Sequence, residues 1–226
     1  MIRAMAIRRC RLDDRDAILA IVNEAAEAYR GIIPDDRWRE PYMPASELEE
    51  EIAAGVELWG YESGGELAGV MGVQPVRDVQ LIRHAYVARA SQGRGIGGAL
   101  LEELTRASER PLLVGTWAAA GWAIRFYRRH GFEPVGRERT AELLREYWSI
   151  PERQVEASVV LVTGATRGCR HLTANSAVNR RRPHPATFTR SARPLRSPSR
   201  RLIGAPRSLN LNLWVPPPII VREQSN

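Results

Sequence analysis

The stretch Ser91-Gln92-Gly93-Arg94-Gly95-Ile96-Gly97-Gly98-Ala99-Leu100 constrains this chain more than any other. It separates residues 79–87, a run with strand character, from the helical pattern ALLEELTRASER. Glycine at positions 93, 95, 97 and 98 leaves the backbone bare where strand gives way to helix. Any Cβ in such a turn would block close approach or forbid positive φ. Uncovered amides and the positive helix end together favour a phosphate group. Arg94 either adds charge to that site or is simply solvated.

Strand and helix patterns alternate on both sides of the loop. Residues 4–9 read as a first strand. In DDRDAILAIVNEAAEAYRG, Ile18, Ile21, Val22 and Ala25 recur at helical spacing, with Asp13 or Asp14 as cap and Gly31 as stop. Pro34, Pro41 and Pro44 break the next loop, and Ser46-Glu47-Leu48-Glu49 has capping-box form for a short helix ending near Gly55. Runs 57–61 and 67–74 flank the turn Ser63-Gly64-Gly65. Residues 112–117 form an apolar strand, 119–130 a helix stopped by Gly131, and 155–162 a closing strand. This order predicts an α/β (α+β) domain with a mixed, mostly antiparallel sheet flanked by helices.

Charge and proline set the domain boundary at residues 1–162. All 33 basic residues are arginine, a bias of GC-rich coding that says little about chemistry. Segment 163–226 holds 12 arginines against the single acid Glu223, and 8 of the 15 prolines; the rest has 21 arginines against 25 acids. The run NRRRPHPATFTRSARPLRSPSRR lacks a period and large apolar residues, so it reads as a disordered basic tail. Three readings of it compete: a nucleic-acid-binding arm, a solvated extension, or translation of GC-rich DNA through a lost stop codon or frameshift. Few aromatics (Phe188 and Trp214) and no recognised binding module count against nucleic acid.

No apolar run is long enough for a transmembrane helix, so no membrane partner is expected. MIRAMAIRRC has neither a long apolar core nor a small-residue cleavage site, which argues against secretion. Cys10 and Cys169 make neither a disulfide framework nor a metal cluster. The expectation is a cytoplasmic protein without a metal.

Two nucleotide fingerprints fail on context. Gly93-x-Gly95-x-x-Gly98 fits a dinucleotide turn, but that site needs an acid about 20 residues on, and residues 110–132 contain none. VVLVTGATRGCR looks like the opening of a short-chain dehydrogenase, yet it lacks the last glycine, and the residues after Arg170 are too few for that fold.

In another register, Gln92-x-x-Gly95-x-Gly97 resembles the pyrophosphate loop of the GNAT superfamily of acetyl-CoA-dependent N-acetyltransferases, Gln/Arg-x-x-Gly-x-Gly/Ala. HAYVARASQGRGIGGALLEEL is similar to that family's central strand, loop and helix. WAIRFYRRHGFEPVG is similar to its second motif, a helix bearing Phe-Tyr and ending in Gly-Phe. AYRGIIPDDRW resembles its acceptor-side loop. The resemblance spans residues 2–162. It implies direct transfer of an acetyl group from acetyl-CoA, as co-substrate, to a primary amine of a small molecule or peptide that the residues leave unnamed. A binding-only descendant of the fold is the rival reading, and the basic-tail nucleic-acid binder is a second.

The resemblance assigns roles residue by residue. Gln92, Gly93, Arg94, Gly95, Gly97 and Gly98 hold the pyrophosphate, and Tyr86 and Val87 offer backbone to the pantetheine arm. Tyr127, at the family's Phe-Tyr position, protonates the leaving thiolate, because a phenol matches a thiolate in basicity; the alternative is a tyrosine packed on the sheet. The family's asparagine before this helix is missing, and Trp117 or backbone groups stand in its place. For the general base no strand carboxylate is present, and His84 titrates in the useful range, although a lone strand histidine is more often structural. Strand alternation puts Arg83 and His84 on opposite faces. The acceptor pocket draws on Tyr29, Arg30, Trp38, Tyr42 and Arg83, each of which could equally be packing or solvated surface. Dimerisation is common in the family, but no interface is legible in these residues.

Overall fold

A computed structural model describes residues 5–35 and 38–163. The Arg/Pro-rich segment, with Cys169 and the dehydrogenase-like turn, lies outside the described residues. Strands β1 (Met5–Arg9), β2 (Glu57–Ser63), β3 (Glu66–Val76), β4 (Val79–Val87), β5 (Leu112–Trp117), β6 (Phe132–Pro134) and β7 (Ser158–Thr163) form one seven-stranded sheet. Its order is β1-β2-β3-β4-β5-β7-β6. Every neighbouring pair is antiparallel except β4–β5.

Helices cover both faces, each through its apolar stripe. On one face lie α1 (Arg15–Ala26) and α2 (Ala45–Ala53), where Ile18, Val22, Ala25 and Leu48 bury against Leu58 and Val70. The other face carries α3 (Ile96–Ala107) and α4 (Gly121–Arg129), with Leu100, Leu104 and Phe126 against Met71, Ile82 and Val114. Further along the first face, α5 (Arg137–Tyr147) and α6 (Glu152–Glu156) close over Leu81, Leu113 and Val160. Gly64 and Gly65, at φ +67° and +87°, make the β2–β3 turn that their composition predicts.

Three local expectations change. The second helix starts at Ala45 with Pro44 as its N-cap, so Ser46 sits inside the first turn and makes no side-chain cap. Asn23 sets this entry from α1: its amide exchanges two hydrogen bonds with the Met43 backbone, at 2.7 and 3.0 Å. Helix α5 has no counterpart in the sequence reading, because arginines and glutamates outnumber the few residues it buries, among them Leu143, Leu144 and Tyr147. Val155 belongs to α6 rather than to the closing strand, since its amide bonds back to Pro151.

Arg8 joins β1 to the α1 entry by bonding Asp14 at 2.7 and 3.0 Å, and reaches Glu62 of β2 at 2.6 Å. The Arg8 guanidinium holds the Asp14 carboxyl down at about 2. A carboxyl depressed on folding stabilises the fold above its unfolded pKa, near 4, and loses that contribution as pH falls toward 2. Asp14→Asn should therefore lower Tm at pH 6, and the gap from the wild type should narrow steadily as pH falls below about 4 toward 2. A pH-independent gap in thermal melts would overturn this assignment.

Candidate active site

Strands β4 and β5 pair at two positions, Gln80 with Leu112 and Leu81 with Leu113, and then separate. β5 continues along β7 as far as Trp117. From Ile82 to Val87, β4 keeps β3 as its only paired strand among the described residues. The result is a wedge in mid-sheet with one strand edge of β4 left free to bond a ligand.

A bulge reorients β4 inside the wedge. Arg83 pairs with Gly72 and Tyr86 with Val70, so His84 and Ala85 together oppose Met71. His84 takes φ +47°, in the left-handed region. One extra residue reverses the alternation beyond it. Ile82, Ala85 and Val87 face α3, whereas Leu81 and Tyr86 face the side of α1 and α5. The expected opposition of Arg83 and His84 therefore does not hold: both side chains reach the same carboxylate on α2.

That carboxylate is Glu51, 4% exposed and unsuspected from the sequence. Arg83 Nη2 donates to Glu51 Oε1 and Oε2 at 2.6 and 2.7 Å, and Arg83 Nη1 to Gln74 Oε1 at 3.0 Å. His84 Nε2 lies 3.2 Å from Glu51 Oε2. Burial pushes the Glu51 carboxyl up, but the His84 hydrogen bond and the Arg83 charge outweigh it and hold the group ionised. Burial lowers His84, which is therefore neutral and donates Nε2–H to Glu51. Arg83, expected in the acceptor pocket, is 2% exposed and held by Glu51 and Gln74, and His84 is fully buried. The available signal was Glu51 at helical spacing from Leu48, a charge on the apolar face of α2.

The glycine loop lies at the far end of β4. Gly93 and Gly95 adopt φ +78° and +77°, and a Cβ on either would meet nothing within 4 Å. The constraint there is backbone conformation beside open space, which suits a cradle. Gln92 turns inward instead, its Nε2 donating to the Val87 carbonyl at 3.1 Å and tying the loop to β4. Gly97 and Gly98 lie in the first turn of α3, whose leading amides have no carbonyl behind them. Gly98 also has a packing reason, since a Cβ would come 2.9 Å from the His130 ring. Arg94 stands exposed beside this turn.

Four buried phenols converge on the wedge. Tyr29, Tyr42 and Tyr86 come from the α1 side, and Tyr127 from α4 on the opposite side. Burial raises Tyr29 and Tyr86 well above the usual phenol range, and the neighbouring phenols, Tyr127 among them, add to that shift. The Tyr127 hydroxyl is fully buried without a hydrogen-bond partner among the described residues, and burial raises its pKa well above the usual phenol range. Thr116 Oγ1 and Trp117 Nε1, at the end of β5, are likewise buried and unpartnered there. Such orphaned polar atoms each cost about 1–3 kcal/mol unless a ligand satisfies them, so the wedge fits a polar chain threaded between the strands. On the α1 side, Trp38 packs on Tyr42 with ring centroids 5.5 Å apart, and the exposed Arg30 lies 4.6 Å from the Trp38 ring while bonding Glu27 and Glu40. Tyr29 meets Trp122 of α4 at 5.3 Å, a contact the sequence reading did not include.

Comparison with known proteins agrees with this fold. Residues 21–145 match the family model described as "Acetyltransferase (GNAT) domain". A GNAT-family acetyltransferase from Staphylococcus aureus Mu50 superposes with a TM-score of 0.54 at 14% identity, covering 71% of this chain and 98% of that one. The PaiA N-acetyltransferase of Thermoplasma acidophilum, solved in complex with coenzyme A, gives 0.54 at 16% identity over the same shares. At these identities the likeness shows the fold. No curated protein matches the chain.

Proposed function

Because the chain belongs to the GNAT acetyltransferase family, we propose that it transfers an acetyl group from acetyl-CoA directly to a primary amine. The observation that carries this reading is the wedge between β4 and β5, together with the buried Tyr127 hydroxyl, which has no hydrogen-bond partner among the described residues. The coenzyme A complex of PaiA, a protein of the same fold, supports it.

Gly93, Gly95 and the leading amides of α3 would hold the pyrophosphate, with Arg94 adding charge. Next to Tyr86, the edge of β4 at Val87 would bond the pantetheine arm through the Val87 N–H, since the Val87 carbonyl already accepts from Gln92. Acetyl-CoA supplies an activated thioester; the amine nitrogen bonds its carbonyl carbon, and the C–S bond breaks. The Tyr127 hydroxyl gives its proton to the leaving thiolate and regains one from water. With His84 sealed behind Glu51, the amine loses its own proton to water. Tyr29, Tyr42 and Trp38 would line the acceptor side. The unit proposed to carry this out ends with β7, whose pairing with β5 and β6 completes the sheet.

Calorimetric titration with acetyl-CoA, followed by turnover on a panel of amino acids, polyamines, aminoglycosides and peptide N-termini, tests the reading. Binding with turnover of at least one amine is expected. No binding sinks it, and binding without turnover leaves a binding-only protein. A chain stopped at Gly164 should keep the Tm and acetyl-CoA affinity of the full chain while its formal charge falls from +7 to −4. Unfolding or lost binding on truncation would place the boundary elsewhere.

A further inference from the structure

We propose that Glu51 is a positioning residue for acetyl transfer: by gripping the adjacent residues Arg83 and His84, it fixes the β4 bulge that aims the free strand edge into the wedge. This rests on the wedge being the thioester site. Glu51, Arg83 and His84 are all buried, with 4%, 2% and 0% exposure. Both carboxylate oxygens are used, at 2.6 and 2.7 Å to Arg83 and 3.2 Å to His84.

Stability alone is a poor reason for this arrangement. A buried ion pair is commonly no more stabilising than well-packed apolar side chains of similar volume, and Leu48 shows that the same helix face accepts such a side chain. What the ionic grip supplies is geometry. A residue with a Cβ adopts left-handed φ only where its surroundings over-determine it, and His84 at +47° is such a residue. The bulge it forms turns Tyr86 away from α3 and toward the phenol cluster. Helix α2 also follows the acceptor-side segment directly, so one carboxylate links that segment to the reacting edge.

The test uses the full chain as wild type, Glu51→Gln, the double variant Glu51→Gln/Arg83→Met, and Leu48→Ala as a control on the same helix. The double variant removes both charges, so that no buried guanidinium is left uncompensated. Kd for CoA and for acetyl-CoA is measured by calorimetry, Tm by melting, and kcat and KM with an accepted amine. In both Glu51 variants the Kd for CoA should stay within about twofold, while kcat and the preference for acetyl-CoA over CoA each fall by about tenfold or more. Leu48→Ala should lose Tm without that split.

A folded double variant with wild-type preference and kcat overturns the inference. So does an equal loss in Leu48→Ala. Failure of both Glu51 variants to fold would assign the triad to global stability, with the same consequence. Absence of CoA binding by the wild type overturns the underlying reading and this inference with it, whereas normal wild-type binding with unaltered variants overturns this inference alone.

Discussion

Tyr127→Phe is expected to lower kcat by about 10²-fold or more, with a smaller change in the KM for acetyl-CoA, while leaving the protein as stable as the wild type or more so. The two halves of this result have one cause. The hydroxyl is fully buried and has no partner among the described residues, so it costs folding free energy, about 1–3 kcal/mol for such a group. Removing it relieves that cost and leaves the ring contacts with Phe126 and Phe132, at 5.1 and 5.5 Å, in place. The same hydroxyl is the proton donor proposed for the leaving thiolate. Its raised pKa keeps the phenol protonated, and the burial that raises it also raises the basicity of a thiolate leaving into the same apolar surroundings. Single-turnover kinetics and thermal melts on the variant check both halves. Wild-type turnover would return Tyr127 to the role of a packed aromatic, and a lower Tm would mean that the hydroxyl has a structural partner.

Gly95→Val should weaken acetyl-CoA binding by about 10²-fold or more while the domain still melts cooperatively. A Cβ at Gly95 meets no atom within 4 Å, so packing does not oppose the substitution. Opposition comes from φ +77°, which a β-branched residue adopts only under strain, and from the methyl groups, which would stand where a pyrophosphate must approach the α3 amides. Local strain of about 1–3 kcal/mol is tolerable for a loop at the edge of a large core, whereas close approach to the phosphate is not negotiable. Calorimetry with acetyl-CoA and circular dichroism separate the two effects. Undiminished affinity would remove the loop from the binding site. Gly98 gives a less informative test, because its Cβ would strike the His130 ring and report on α3–α4 packing as well.

The loop and the Phe126-Tyr127 helix were legible in the sequence because their constraints are local. Glycine at positive φ, a helix start behind it and an aromatic pair ahead of Gly131 are each set by residues within one or two turns of chain. Apolar periodicity likewise marked β4, β5 and α1 closely, since a strand or helix that buries one face must repeat at 2 or 3.6 residues. Helix α5 escaped because its surface is almost wholly charged and the few residues it buries do not stand out.

The proton chemistry around β4 could not be read in the same way. Strict alternation sets Arg83 against His84, and a single extra residue opposite Met71 is invisible in a string of apolar and polar letters. That bulge, together with the arrival of α2 from 32 residues earlier in the chain, decides that Arg83 and His84 share Glu51 and that Tyr86 joins Tyr29, Tyr42 and Tyr127. The sequence by itself marked most of the strands and helices, α5 excepted, and the glycine turn that leaves backbone bare between β4 and α3. Tertiary structure decided where β4 and β5 part, which charges are buried together and which hydroxyls are left without a partner among the described residues, because those depend on contacts between residues far apart in the chain.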